Sequence, residues 1–123
     1  MKIIDINTSS PYKVVLGAGL LGNTGVLIRK FAGSLSAGRT GVIVTDDNAG
    51  RLYAGTVAAA LEAEGFSVLT YEFPNGEGSK NLRSYEALLA FLAEHHVTRS
   101  DFIAALGGGV AGDLAGFAAA TYL

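Results

Sequence analysis

The sequence predicts an α/β domain with a mostly parallel sheet, helices on both faces and a β-hairpin at its start. Three observations carry this. After residue 20, stretches with helical apolar spacing alternate with short β-branched runs. One of those runs, Thr40 to Thr45 (TGVIVT), is nearly continuous in apolar residues, as a strand covered on both faces requires. Clusters of Gly, Asp, Asn and Pro close the runs.

Lys2 to Asn7 and Tyr12 to Leu16 are short apolar runs separated by the turn formers Thr8-Ser9-Ser10-Pro11, which gives the hairpin. Leu20 to Phe31 has helical spacing with Gly33 as its stop, although Gly22 and Gly25 oppose a helix. Asp46-Asp47-Asn48 ends the Thr40 strand, and a helix is expected from Gly50 to Glu64, closed by Gly65. Phe66 to Phe73 is the next strand, stopped by Pro74-Asn75-Gly76. Ser79 is expected to cap a helix in which Tyr85, Leu88, Leu89 and Leu92 form one face. Asp101 to Leu106 is the last strand, then come three glycines and a small-residue helix beginning near Asp113. That helical pattern runs to Leu123 without a Gly, Pro or basic stop, as expected of a chain whose natural sequence continues.

A length of 123 residues allows one domain. Hydrophobic residues make up 50% and charged ones 16%, so the chain must bury a core. A net charge of −2 gives no electrostatic footprint for nucleic acid. Charge-free runs are shorter than the roughly 20 residues a membrane span needs, and MKIIDIN lacks the basic and apolar regions of a signal peptide. No membrane partner and a cytoplasmic location are therefore expected. Without Cys there is no disulfide and no thiolate metal site. His95-His96 ends a helix with no further ligands near it in sequence, so it is expected against the helix's negative pole or in water.

The pattern G-x-G-x-x-G occurs twice, as Gly17 to Gly22 and as Gly107 to Gly112, each time after a strand and before a helix. There a bare backbone can turn sharply and admit pyrophosphate oxygens to helix N–H groups. The first copy has Asp46 24 residues beyond Gly22, near the spacing of a ribose-binding carboxylate. It follows an arm of the hairpin, however, and reads as a tight turn with helix packing, a phosphate cradle being the lesser alternative. The second is richer, because its consecutive glycines each cost roughly 0.5–1 kcal/mol relative to Ala, so a close approach to that backbone is expected. Asp113 is expected in the first turn of the following helix, as a cap or as an acceptor for ligand hydroxyls. The loop Pro74-Asn75-Gly76-Glu77-Gly78-Ser79-Lys80 follows a strand where open α/β sheets place ligands. Glu77 can accept ribose hydroxyls and Lys80 offers a charge for phosphate, or the two form a solvated ion pair.

PNGEGSK followed by GGGVAGDLAGFAAATYL closely resembles 3-dehydroquinate synthase, of the sugar-phosphate cyclase superfamily. The resemblance covers the whole chain, and its weight rests on those two motifs. It implies the Rossmann-like, NAD-binding N-terminal domain of a two-domain enzyme, incomplete here, with the metal- and substrate-binding helical domain absent. The family uses NAD and a divalent metal, zinc or cobalt, to convert 3-deoxy-D-arabino-heptulosonate 7-phosphate to 3-dehydroquinate and phosphate in the shikimate pathway. By motif, Asp46 and Asn48 should meet the adenosine of NAD. Asn75, Gly76, Glu77, Gly78, Ser79 and Lys80 should contact the cofactor, with Glu77 and Lys80 as polar anchors. Gly108, Gly109, Val110, Ala111, Gly112 and Asp113 should wrap the pyrophosphate and neighbouring ribose. The family's Arg-Gly after the TYL-type segment, its threonine pair, its two lysines and its metal-holding Glu and His residues have no counterpart here, so no catalytic residue, no metal ligand and no turnover are expected of these residues. A homodimer is the expected assembly, with a sugar phosphate as substrate of the full-length enzyme. Another sugar-phosphate cyclase, a metal-dependent alcohol dehydrogenase (which tends to carry Ser where Val110 stands) and a non-catalytic nucleotide-binding module remain the alternatives.

Overall fold

A computed structural model describes residues 1–123, apart from the side chains of residues 35 and 36. Strands β1 (Lys2–Ile6) and β2 (Tyr12–Leu16) form an antiparallel hairpin in which Lys2 pairs with Leu16 and Ile6 with Tyr12. The second sheet is parallel, in the order β4-β3-β5: β3 is Thr40–Asp46, β4 is Ser67–Phe73 and β5 is Phe102–Leu106. Between them lie α1 (Thr24–Phe31), α2 (Asp47–Ala49) continued through a π-helical turn (Gly50–Ala54) into α3 (Gly55–Ala63), α4 (Leu82–Glu94) and α5 (Gly109–Thr121).

The central strand is covered on both faces, as its uninterrupted apolar run requires. Val42 and Val44 point into one core with Leu88 and Leu92 of α4 and Ala111, Leu114, Ala115 and Ala118 of α5. Ile43 points the other way, into a second core with Val57 and Leu61 of α3, Phe66 and Phe102. Small residues on α5 let that helix lie close against the sheet. At Gly41 a Cβ would come within 2.6 Å of the Phe102 ring, so the strand itself must be bare there. Arg29 ties α1 to this face: its guanidinium lies 3.8 Å from the centre of the Phe66 ring and donates to the Glu64 carbonyl at 2.6 Å.

Several boundaries differ from those read in the sequence. Leu20 to Phe31 is not one helix: a 3-10 turn occupies Leu21–Asn23 and the α-helix starts at Thr24, because Gly22 and Gly25 weaken the first turns. Gly25 nonetheless serves packing, since a Cβ there would strike the Ala60 carbonyl. The helix expected from Gly50 begins at Asp47, because the Asp46 side chain accepts from the N–H groups of Asn48 (2.9 Å) and Ala49 (2.6 Å). Asn81, not Ser79, caps α4, accepting from Ser84 N–H at 2.9 Å. The last helix begins at Gly109, four residues before the expected start near Asp113. Of Leu114, Phe117 and Tyr122 only Phe117 is exposed, at 54%; Leu114 is buried and the Tyr122 hydroxyl donates to the Val97 carbonyl.

Helices α3 and α4 end in the same way. Gly65 (φ 87°) and His96 (φ 57°) take the left-handed position, with Phe66 N–H bonding Leu61 O and Val97 N–H bonding Leu92 O. The neighbouring His95 donates through Nδ1–H to the Phe91 carbonyl (2.9 Å) and lies on the Phe91 ring. His96 carries the steric penalty of a Cβ in that conformation. Replacing His96→Gly should therefore raise stability by about 1 kcal/mol, read as an upward shift of the urea midpoint with unchanged slope; an unchanged or lower midpoint would contradict this account of the helix end.

Candidate functional site

Three parallel strands deliver their carboxyl ends to one edge of the sheet, and the loops that follow all gather there. Asp46 closes β3, the segment from Asn75 to Lys80 follows β4, and Gly107 to Asp113 follows β5. The residues expected from the sequence to meet the cofactor thus lie at this edge, the position at which open α/β sheets bind ligands. The first glycine pattern lies apart, in the turn after the hairpin, where Gly19 takes φ 69°. Its backbone conformation accounts for the glycine, in keeping with a structural turn.

The second glycine pattern divides in two. Gly107 is required by the protein itself, because its φ of 141° suits only glycine and a Cβ would press on Ala111 at 3.2 Å. Gly108, Gly109 and Gly112 are different: none has a positive φ, and a Cβ at any of them would meet nothing within 4 Å. Neither conformation nor packing demands glycine at these three positions. They leave a bare backbone facing open space at the start of α5. Gly112 N–H makes the first bond of the helix, to Gly108 O, and no side chain caps the preceding N–H groups. The N–H groups of Gly109, Val110 and Ala111 are therefore available. The Val110 and Ala111 side chains pack inward, so these two can offer only backbone.

Asp113 is not in the first turn of α5. It is the fifth helical residue, and its Oδ2 pairs with Lys80 Nζ at 2.7 Å. This pairing raises the Lys80 pKa, first through the hydrogen bond and then through the charge of Asp113, with Glu77 adding a weaker attraction. Lys80 thus bridges to Asp113 rather than forming the ion pair with Glu77. Among the described residues the Glu77 carboxylate makes no hydrogen bond or ion pair. The Ser79 hydroxyl is used internally, donating to the Pro74 carbonyl.

A second bridge joins the β3 and β4 loops. Asp47 Oδ1 accepts from the backbone N–H of Asn75 (3.0 Å) and from its Nδ2 (2.6 Å), which lowers the Asp47 pKa. Asp47 was not singled out in the sequence; the paired aspartates of Asp46-Asp47-Asn48 were its only signal. Asp46 spends Oδ1 on the cap of α2, while Oδ2 lies 3.6 Å from the site a Gly107 Cβ would occupy, facing the glycine turn. Asn48 Oδ1 accepts from Arg51 at 3.0 Å. An open cavity of about 410 Å³ is lined by Asp47, Asn48, Arg51 and Asn75. Lys80 and Asp113 also line a groove of about 330 Å³, together with Leu82, Tyr85, Leu114 and Phe117. A larger cavity, about 620 Å³, lies away from this edge between the hairpin and α1.

This arrangement can hold a polyanion at the bare helix start and hydroxyl groups at the carboxylates beside it. Among the described residues no three His, Cys, Asp or Glu side chains come together. Among the described residues no helix is long and apolar enough to cross a membrane.

Because Asp47 is held ionised by its two donors, the bridge to Asn75 should persist below the ordinary aspartate range and be lost as pH falls through the lowered pKa. The Asp47 carboxyl resonance should report that titration by NMR, and Asn75→Ala, which removes the side-chain donor and keeps the backbone N–H, should move its midpoint part of the way back towards the ordinary range. A midpoint unaffected by Asn75→Ala would show that the hydrogen bonds are not its cause.

The sequence profile described as 3-dehydroquinate synthase N-terminal matches residues 70–123. A 3-dehydroquinate synthase of Streptococcus suis is 43% identical over all 123 residues, and that of Lactococcus lactis subsp. cremoris is 47% identical over 113. The chain spans about a third of the length of these relatives, 34% and 31%. In fold it is similar to 2-deoxy-scyllo-inosose synthase in complex with carbaglucose-6-phosphate, NAD+ and Co2+ (TM-score 0.84, 19% identity, 98% of this chain and 32% of that one). It is also similar to the 2-epi-5-epi-valiolone synthase of Streptomyces hygroscopicus with NAD+ and Zn2+ bound (TM-score 0.74, 24% identity, 99% and 32%). The chain is thus similar in sequence to 3-dehydroquinate synthases over about a third of their length, and similar in fold to the two synthases of solved structure.

Proposed function

We propose that these residues form the NAD-binding domain of a 3-dehydroquinate synthase, the lyase that converts 3-deoxy-D-arabino-heptulosonate 7-phosphate to 3-dehydroquinate and phosphate. The observation that carries this is the bare backbone at Gly108, Gly109 and Gly112, which the protein's own conformation and packing do not require. A diphosphate lying on that backbone would accept from the free N–H groups of Gly109, Val110 and Ala111 at the positive end of α5. Ribose hydroxyls would then fall to Glu77 and to Asp113, with Lys80 moving between Asp113 and phosphate. Asp46, through Oδ2, and Asn48 would face the adenosine. Asn75, Gly76, Gly78 and Ser79 shape the loop that carries Glu77 and Lys80.

NAD, when bound, supplies a hydride acceptor for oxidising an alcohol of the sugar phosphate. The chain's own residues contribute binding and orientation. Substrate contacts, the divalent metal and its ligands belong to the other two-thirds of the longer relatives, so the 123 residues alone would bind without turning over. Much higher identity to 3-dehydroquinate synthases than to the other cyclases of this fold favours this substrate over theirs.

We place the working enzyme in the cytoplasm as a homodimer. The hairpin supports association, since neither of its strands contributes a residue to either core and Ile3, Tyr12 and Leu16 are exposed on it. A two-stranded hairpin is marginally stable by itself, and a second copy would supply what these faces lack.

Gly112→Val separates binding from folding. Valine is no worse than glycine within a helix and its side chain would enter open space, so stability should be unchanged or slightly improved. The same side chain should stand where the diphosphate would lie. Isothermal titration of NAD should show at least about tenfold weaker binding, or about 1.4 kcal/mol; equal affinity in the parent and the variant would overturn the assignment.

A further inference from the structure

Asn75 and Gly76 carry a reactivity that nucleotide binding does not use. When glycine follows asparagine, no side chain stops the next backbone nitrogen from reaching the asparagine side-chain carbonyl. Of the five asparagines, at 7, 23, 48, 75 and 81, the residue that follows is Thr, Thr, Ala, Gly and Leu in turn. Both members of the Asn75-Gly76 pair are exposed, in the loop after β4. Gly76 N–H makes no hydrogen bond among the described residues, and a Cβ on Gly76 would meet nothing within 4 Å. The Gly76 backbone (φ 102°, ψ 162°) lies in a region essentially confined to glycine. The loop's shape therefore requires the glycine of the pair. Opposing the reaction, Asp47 Oδ1 holds both the backbone N–H and the side-chain Nδ2 of Asn75.

We propose that Asn75 is a site of spontaneous conversion to aspartate and isoaspartate, that Asp47 governs its rate by pinning the side-chain amide, and that conversion unties the β3 and β4 loops. The Gly76 nitrogen attacks Asn75 Cγ, the Cγ–Nδ2 bond breaks, and ammonia leaves with the proton from Gly76. Water opens the resulting cyclic imide at either carbonyl, giving aspartate or, with one more methylene in the backbone, isoaspartate. The balance is one water consumed and one ammonia released, with no change of oxidation state. The product sets a carboxylate against Asp47 in place of the amide donor, so a hydrogen bond is replaced by repulsion between like charges. Resting on the reading of this loop as part of the nucleotide site, NAD affinity should fall with the fraction converted.

The test is incubation of the purified chain at mildly alkaline pH, followed by digestion, mass analysis of each asparagine peptide and enzymatic methylation of isoaspartate. Asn75 should convert faster than each of the other four asparagines, and Asp47→Ala, with its circular dichroism unchanged, should convert several-fold faster still. Asp47→Asn, which keeps an acceptor oxygen, should lie closer to the parent rate. Conversion at Asn75 no faster than elsewhere would overturn the site, and equal rates in the parent and Asp47→Ala would overturn the role of Asp47. NAD titrations of fresh and aged chain separate the two readings. No binding by fresh chain defeats the nucleotide site and leaves the chemistry standing, whereas equal binding by fresh and aged chain defeats the coupling between them.

Discussion

Burial of β3 on both faces is the constraint on which the rest depends. Val42, Ile43 and Val44 are each fully buried, two facing α4 and α5 and one facing α3, so the strand can sit only in the middle of a layered domain. Once it is central, the strands beside it are held parallel by the crossover helices, and all three carboxyl ends emerge together. The site is thus a consequence of packing: no loop residue has to bring the others to that edge.

Polar contacts then hold the loops to one another. Asp46 starts the helix after β3, Asp47 reaches to the β4 loop, and Lys80 reaches from that loop to α5. None of these contacts is deeply buried, so they add little to global stability. Their effect is local, fixing where the backbone of each loop stands relative to the next. The glycine turn needs such support, since Gly108 and Gly109 have no side chains with which to anchor themselves.

How much of this is legible in the sequence follows from the range of the interaction concerned. The Thr40 strand, the hairpin and the stop at Gly65 are visible because apolar period and turn chemistry are local signals. The helix starts are misplaced where capping depends on which of several polar residues accepts. Asp46 rather than Gly50 starts one helix, and Asn81 rather than Ser79 another, because Ser79 turns inward to Pro74. Asp113 falls later in α5 than expected because the glycines before it, poor helix formers by propensity, are helical under tertiary packing by Ala111 and Leu114. The partnership of Lys80 with Asp113 spans 33 positions, and Asp47 with Asn75 spans 28, so neither pairing leaves a pattern in the chain. Which loops gather at the carboxyl edge was readable from the order of elements, whereas the contacts between those loops were not.

The left-handed ends of α3 and α4 turn the chain back at the amino edge of the sheet, opposite the glycine turn, and the two edges are separated by strands of five to seven residues. At about 3.3 Å per residue that is a gap of roughly 20 Å. The candidate site lies on one side, and the other carries the reversals at Gly65 and His96. The amino edge is therefore where a fluorophore, an affinity handle or a surface linkage can be attached without shadowing the opposite rim.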